Sequence, residues 1–370
     1  MGSSPRQRIS RLVATVSERL LPIDYLTTRR EVRDWASWID GIEPQLLDDT
    51  GAASPELKRR LFAQNVKLVE IETHARCNRI CWFCPNAVKD RRRDRTRASA
   101  DMLERLFTQL AQIEYRGQLK VARYSEPMVD LDNLCEQLAR ARKLLPRAEL
   151  AIVTNTDYLT RQSLVRLEKV GLDVLYMSLY LRNRERWTAK LAHDYSQRIA
   201  RKLSLPELKR DVTPTSVRYE FKHPRMRIYS ACIDFGHQGS DRGGTVKFYT
   251  TVNRRGPCRE PFSTFVVDHN GAVAPCCNVR SDFTEHADYL VGNLADPASN
   301  IFDIYAGRLA GWRRSMVGFG KKDAPCTTCR HREVSEAASA AVSSRLERRL
   351  NAIGKPELFA SNDTPSSPRP

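Results

Sequence analysis

The 370-residue chain predicts an α/β fold. The expected architecture is a partial (β/α) barrel of the TIM type, followed by a small C-terminal auxiliary domain made of a β-hairpin and a helix. Three observations carry this expectation. Between residues 63 and 250, short apolar runs alternate with stretches of helical periodicity, the pattern of βα units around a parallel sheet. The polar and thiol groups of this region follow directly after the apolar runs, where the loops of such a barrel gather at one end. Past about residue 250 the alternation stops and Gly, Pro and Cys punctuate the chain instead.

The elements follow in order. Residues 1–62 read as a helical extension, in which Ile9, Leu12, Val13, Val16 and Leu20 keep helical spacing, as do Val32, Trp35, Trp38 and Ile39. The basic start carries no small-residue cleavage site, so it reads as an amphipathic helix and not as a signal peptide. Residues 48–56 break the helical pattern. Residues 66–73 form the first strand, which runs straight into a cysteine loop. A helix capped near Ser99 presents Leu103, Leu106, Phe107 and Leu110 on one face. The second strand is expected at 118–124 and its helix at 131–145. The third spans 148–155, with a helix from Thr160 that Gly171 stops. The fourth spans 173–180, with a helical pattern around 187–203. In the unit 251–335 a hairpin turns at His269, Asn270 and Gly271. The remainder, 336–370, gives an amphipathic helix and a tail of disordered composition.

Bulk properties narrow the function classes. No apolar run reaches the length of a membrane span, which points to a cytoplasmic protein and no membrane partner. Ten cysteines in such a chain favour metal ligation or catalysis over disulfides. The formal charge of +17 raises nucleic acid as a partner. There is no aromatic-rich RNA-binding signature and no paired-histidine finger spacing, so charge alone does not establish one. The densest basic run, residues 89–97, reads either as a solvated stretch or as a site for an anionic substrate.

Cys77, Cys81 and Cys84 stand in the spacing Cys-x3-Cys-x2-Cys with no fourth cysteine nearby. Three thiolates leave one metal position open, which suits a four-iron cluster whose fourth iron binds another molecule. A zinc site borrowing His74 is the competing reading. A second set comprises Cys258, Cys276, Cys277, Cys326 and Cys329, for which a structural zinc ribbon is the rival. Cys135 sits on the apolar face Leu131, Leu134, Leu138 and reads as core packing. Cys232 is isolated.

The first loop, with Trp82 and Phe83 before the last cysteine, resembles the radical S-adenosylmethionine enzyme superfamily over most of residues 63–335. The resemblance implies that S-adenosylmethionine chelates the open iron and that its reductive cleavage yields a 5′-deoxyadenosyl radical. It places Phe83 near the adenine. It gives Glu126 of "RYSEP" to the methionine amino group, although the two glycines usual in the family are absent. Asn155 and Ser178 match polar positions lining the cofactor. The second set is similar to the SPASM auxiliary domain in its short form, twitch, because no cysteine follows Cys329. The resemblance implies an auxiliary four-iron cluster held by Cys258, Cys276, Cys326 and Cys329. Cys277 is then left to pack, to substitute as a ligand or to return a hydrogen atom, with Cys232 the second candidate donor. Arg242 in "SDRGG" either holds a substrate oxygen or the cofactor carboxylate, or is a solvated turn residue.

What the resemblance implies is a cytoplasmic oxidoreductase or epimerase acting on a hydroxylated small molecule of sugar or aminocyclitol type, anionic or neutral. A reductant such as flavodoxin or ferredoxin would supply the electron. The alternatives are a peptide-modifying maturase, a nucleic-acid-modifying radical enzyme, and a non-enzymatic metal-binding module that grips nucleic acid.

Overall fold

The computed structural model describes residues 23–182, 185–247 and 253–360. The expected helix around residues 9–20 and the tail 361–370 lie outside the described residues. The first helix, α1 (Ile23–Asp40), is followed by α2 (Pro55–Asn65), whose Ser54 Oγ accepts from the Leu57 N–H while Pro55 opens the first turn.

Four βα units then appear where the sequence places them. β1 (Leu68–Ile71) precedes the cysteine loop and α3 (Ala100–Ala111), which Ser99 caps. β2 (Gln118–Val121) leads to α4 (Leu131–Leu144), and β3 (Glu149–Thr154) to α5 (Arg161–Lys169). β4 (Val174–Ser178) leads to α6 (Ala189–Leu203). Each helix buries one apolar stripe on the sheet. In α3 that stripe is Met102, Leu103, Leu106, Phe107 and Leu110. Cys135 packs within the same core, as its helical position requires.

Three more strands follow; the sequence placed a strand end ahead of residues 240–244 but did not show the antiparallel pair before it. β5 (Glu207–Thr213) and β6 (Ser216–Phe221) form an antiparallel ribbon, and β7 (Arg227–Ile233) runs parallel to β4. β5 is exposed along almost its whole length, so "ELKRDVT" carries no apolar alternation to betray it. The loop 240–244 follows β7 after one helical turn, Phe235–Gln238.

Among the described residues the strands form one sheet in the order β10 (Gly292–Asn293), β9 (Ala272–Ala274), β8 (Thr264–Val267), β1, β2, β3, β4, β7, β6, β5. β8 (Thr264–Val267), from the region expected as a separate auxiliary unit, pairs in parallel with β1, Val69 opposite Phe265. The barrel sheet therefore runs from β8 through β1 to β7, an open arc of parallel strands. β9 (Ala272–Ala274) returns from β8 through the anticipated hairpin, and β10 (Gly292–Asn293) closes that edge. In the turn the Gly271 N–H reaches the Asp268 carbonyl, and Gly271 takes φ +84°. A Cβ there would meet the Ala295 nitrogen at 2.6 Å.

The C-terminal region adds α7 (Leu309–Val317) and α8 (Glu336–Ala352). α8 packs on α1, and Trp38 of α1 meets Phe262 edge-on at 5.2 Å. Among the described residues no helix is long and apolar enough to cross a membrane.

Candidate active site

The loop after β1 is pinned before it can present its thiols. The Glu126 N–H binds the Arg76 carbonyl, and the Cys77 N–H that of Arg91. Asn78 Nδ2 donates to Asp157 at 2.6 Å, Arg79 pairs with the same carboxylate, and Asn155 Nδ2 donates back to Asn78 at 2.8 Å. The loop is thus tied to the end of β3. Cys77, Cys81 and Cys84 consequently line one wall of a cavity of about 250 Å³ at the C-terminal end of the strands.

The other walls come from the loops after β2 and β3, from Tyr180 after β4, from Arg242 in the loop that follows β7, and from Cys277 of the C-terminal region. The floor carries Glu70 and Lys120, an ion pair at 2.6 Å on adjacent strands. Burial pushes the Cys77 and Cys81 thiols up to about 12, and an ionised Cys84 would raise both further. Such a group holds its charge when a metal takes the place of the protons. Three convergent thiols beside an open cavity therefore fit a cluster with one exchangeable iron.

Glu126 is buried in the cavity wall. Its carboxylate accepts from the Thr154 hydroxyl at 2.6 Å, the Asn155 N–H at 2.7 Å and the Met128 N–H at 3.1 Å. Desolvation still outweighs these bonds and lifts its pKa to about 7. Phe83 lines the cavity and stacks on Phe235 with ring centroids 3.6 Å apart. Asn155 also faces the cavity. Ser178 differs: it bonds the Tyr180 hydroxyl, and Tyr180 is the residue of that pair on the cavity wall. His74 is buried off the cavity, in a backbone bridge with Arg97.

The second constellation closes from the opposite side. Burial raises the pKa of Cys276, and Cys277, Cys326, Cys329 and Cys258 would each raise it further if ionised; burial also pushes Cys258 up to about 11. Two buried cations accompany them. Arg254 donates to the carbonyls of Pro257 and His331 and lies 3.9 Å from Cys329 Sγ. Lys322 donates to the Gly318 carbonyl, and burial lowers its pKa to about 8. Four thiols gathered with compensating cations fit a fully ligated cluster.

Cys277 points elsewhere than Cys276. It lines the cavity, its carbonyl accepts from the Tyr124 hydroxyl at 2.8 Å, and its sulfur lies within 4.8 Å of ligand atoms of Glu260 and His331. Arg242 sits in a turn in the left-handed region at φ 52° and is half-buried. Its Nη1 donates to Asn278 Oδ1 at 3.2 Å, while its buried Nε has no hydrogen-bond partner. Cys232, by contrast, sits in the hydrophobic core beside Trp187 and does not reach the cavity. Its place on the strand face opposite the lumen removes it as a donor to a cavity-bound molecule.

The sequence reading missed the network that joins the two halves. The buried Glu72 carboxylate at the end of β1 accepts from Arg91 at 2.9 and 3.2 Å, from the Tyr124 and Ser125 N–H groups, and pairs with His269 of the hairpin. Arg91 continues to Asp282 at 3.0 Å, and Arg123 pairs with Asp268 at 2.6 Å. Arg91 belongs to the basic run, yet it is 2% exposed. One member of that run is thus a buried bolt. The Arg91–Glu72–His269 trio is not visible in sequence because its members are separated by up to 197 positions.

Residues 258–331 match the family model of SPASM, an iron–sulfur cluster-binding domain. The chain therefore carries a SPASM-type iron–sulfur region at its C-terminal side. It is 31% identical over 105 residues to the S-adenosyl-L-methionine-dependent 2-deoxy-scyllo-inosamine dehydrogenase of Niallia circulans. That match covers 28% of this chain and 41% of the relative, less than half of its length. Among solved structures, BtrN in complex with AdoMet and 2-DOIA aligns at 22% identity and a TM-score of 0.49, covering 68% of this chain and 87% of that one. Native anSMEcpe with bound AdoMet aligns at 11% identity and a TM-score of 0.38, covering 78% and 99%.

Proposed function

We propose that this chain is a radical S-adenosylmethionine oxidoreductase that oxidises a carbinol of a hydroxylated small molecule of the aminocyclitol or sugar class. One observation carries the reading: one open cavity is walled on one side by Cys77, Cys81 and Cys84 and on the other by Arg242 and Cys277, the latter adjacent in sequence to Cys276. Bound in the first site, a four-iron cluster and S-adenosylmethionine would supply a carbon radical able to take a hydrogen atom from a carbinol carbon. The protein's own groups then orient the alcohol. Lys120 and Glu70 offer a donor and an acceptor to neighbouring hydroxyls, and the Arg242 Nε–H offers a charge-assisted donor. After loss of the hydrogen atom, the hydroxyl proton leaves to a base. An auxiliary cluster held by Cys258, Cys276, Cys326 and Cys329 would supply the acceptor for the one electron whose removal completes the oxidation to a ketone. The dehydrogenase relative favours this outcome.

The position of Cys277 favours a second reading, epimerisation, in which its thiol returns a hydrogen atom to the opposite face. Anaerobic turnover of 2-deoxy-scyllo-inosamine and related cyclic polyols in deuterated water separates the two. A ketone without deuterium at carbon supports oxidation, and deuterium at carbon that disappears in Cys277→Ser supports thiol return. Cofactor cleavage that no alcohol of this class stimulates would reject the substrate class.

A further inference from the structure

Asn278 lies immediately after Cys276 and Cys277, and its side chain has two partners at opposite ends. Its Oδ1 accepts from Arg242 Nη1 at 3.2 Å, and its Nδ2 lies 3.5 Å from the sulfur of Cys329. This orientation is the only one the neighbours tolerate. With the amide reversed, an NH2 would face the guanidinium and an oxygen would face a thiolate, both repulsive. The residue is 4% exposed, so neither contact is diluted by water.

The loop that brings Arg242 to this amide is itself fixed by the auxiliary domain. Asp241 accepts from the Thr328 hydroxyl, and the Gly243 carbonyl meets His286 Nε2 at 2.9 Å. Gly243 takes φ +69°, and a Cβ on it would meet both the Asn278 carbonyl oxygen and His286 Nε2 at 3.0 Å. Glycine therefore permits the approach that places Arg242 on Asn278.

We infer that Asn278 is a bridge between the reaction cavity and the auxiliary cluster: it sets the potential of that cluster by donating to Cys329 Sγ, and Arg242 at the cavity wall holds it in the donating orientation. The inference rests on reading Cys258, Cys276, Cys326 and Cys329 as cluster ligands. An N–H aimed at a ligating sulfur stabilises the more negative, reduced state, so it raises the potential. A polar group or developing charge against Arg242 then acts on the cluster through one side chain.

The test is an EPR-monitored redox titration of the reconstituted full-length protein and of its Asn278→Ala and Asn278→Asp variants, with iron measured on the same samples. The auxiliary midpoint potential should fall in Asn278→Ala. It should fall further in Asn278→Asp, where a carboxylate faces the sulfur. The Cys77–Cys81–Cys84 cluster should keep its potential in both. Unchanged auxiliary potentials with iron retained would overturn the bridge. So would loss of auxiliary iron from both variants, including the near-isosteric Asp, since Asn278 would then serve assembly and not tuning. A wild-type protein that takes up no second cluster would instead reject the ligand reading itself, so the two failures are distinguishable.

Discussion

Glu126 offers the sharpest test of how the cofactor is held. Its carboxylate is buried, and desolvation lifts its pKa to about 7 despite three donors. A group with that pKa is about nine-tenths charged at pH 8 and about one-tenth at pH 6. If the ionised form grips the amino group of S-adenosylmethionine, its contribution to affinity should fall about tenfold between those values, or ~1.4 kcal/mol. The cofactor's own α-amino group titrates in the same range, so a wild-type curve would mix the two effects. Glu126→Gln separates them, because it keeps the ligand's titration and removes the protein's. The variant should bind more weakly at pH 8 by roughly 1.5–3 kcal/mol, the cost of a lost charge-assisted hydrogen bond. That deficit should shrink about tenfold in Kd by pH 6. Calorimetric titration into the reconstituted, oxidised protein measures it, since cleavage cannot compete there. A variant-to-wild-type ratio of Kd that stays flat from pH 6 to pH 8, with equal iron in both proteins, would refute the assignment.

Two further predictions concern the metal sites and the network that joins them. Anaerobic reconstitution should give about eight irons per chain, and replacing Cys77, Cys81 and Cys84 with Ala should leave about four and abolish 5′-deoxyadenosine formation. Stoichiometric zinc without iron–sulfur absorption would contradict this. Arg91→Met strands the buried Glu72 carboxylate, and should cost roughly 3–5 kcal/mol in stability, read by thermal or denaturant unfolding. Burial opposes ionisation of Glu72, but Arg91, His269 and Arg123 outweigh it and hold its pKa below the usual carboxylate range. Its stabilisation is therefore present above the unfolded value near ~4.3 and is lost as pH falls through the lower folded value. The variant's deficit should accordingly narrow in acid, and a deficit constant down to acid unfolding would show that Glu72 is not the linked group.

Periodicity made the first four strands and their helices legible, because each strand carries a short apolar run or alternation and each helix shows one apolar stripe. The seven cysteines that gather at the two sites were legible from spacing, and the hairpin from Asn270-Gly271. β5 was not, since an exposed edge strand has no hydrophobic pattern to display. Cys232 illustrates the opposite failure. Residue type made it a candidate, and only the face of β7 on which it stands decides that it serves the core. Cys277 and Arg242 reach the cavity by tertiary pairing that no local pattern records. The Glu70–Lys120 pair was equally hidden, because two charges on adjacent strands read as ordinary polar interruptions until the register places them together.

The parallel pairing of β8 with β1 bears on how such a chain can be made. Glu70 stands opposite Val266, so one flank of the first barrel strand waits for a segment synthesised almost two hundred positions later. Contacts of that sequence separation form slowly, and until they form the β1 flank is an unpaired edge. The cysteine loop emerges directly from β1, and Glu72, its first anchor, needs His269 from the late segment. The thiols of the first site can therefore reach their final arrangement only after the auxiliary region has docked. A chain cut before Thr264 would not be a smaller enzyme but an open sheet seeking a partner.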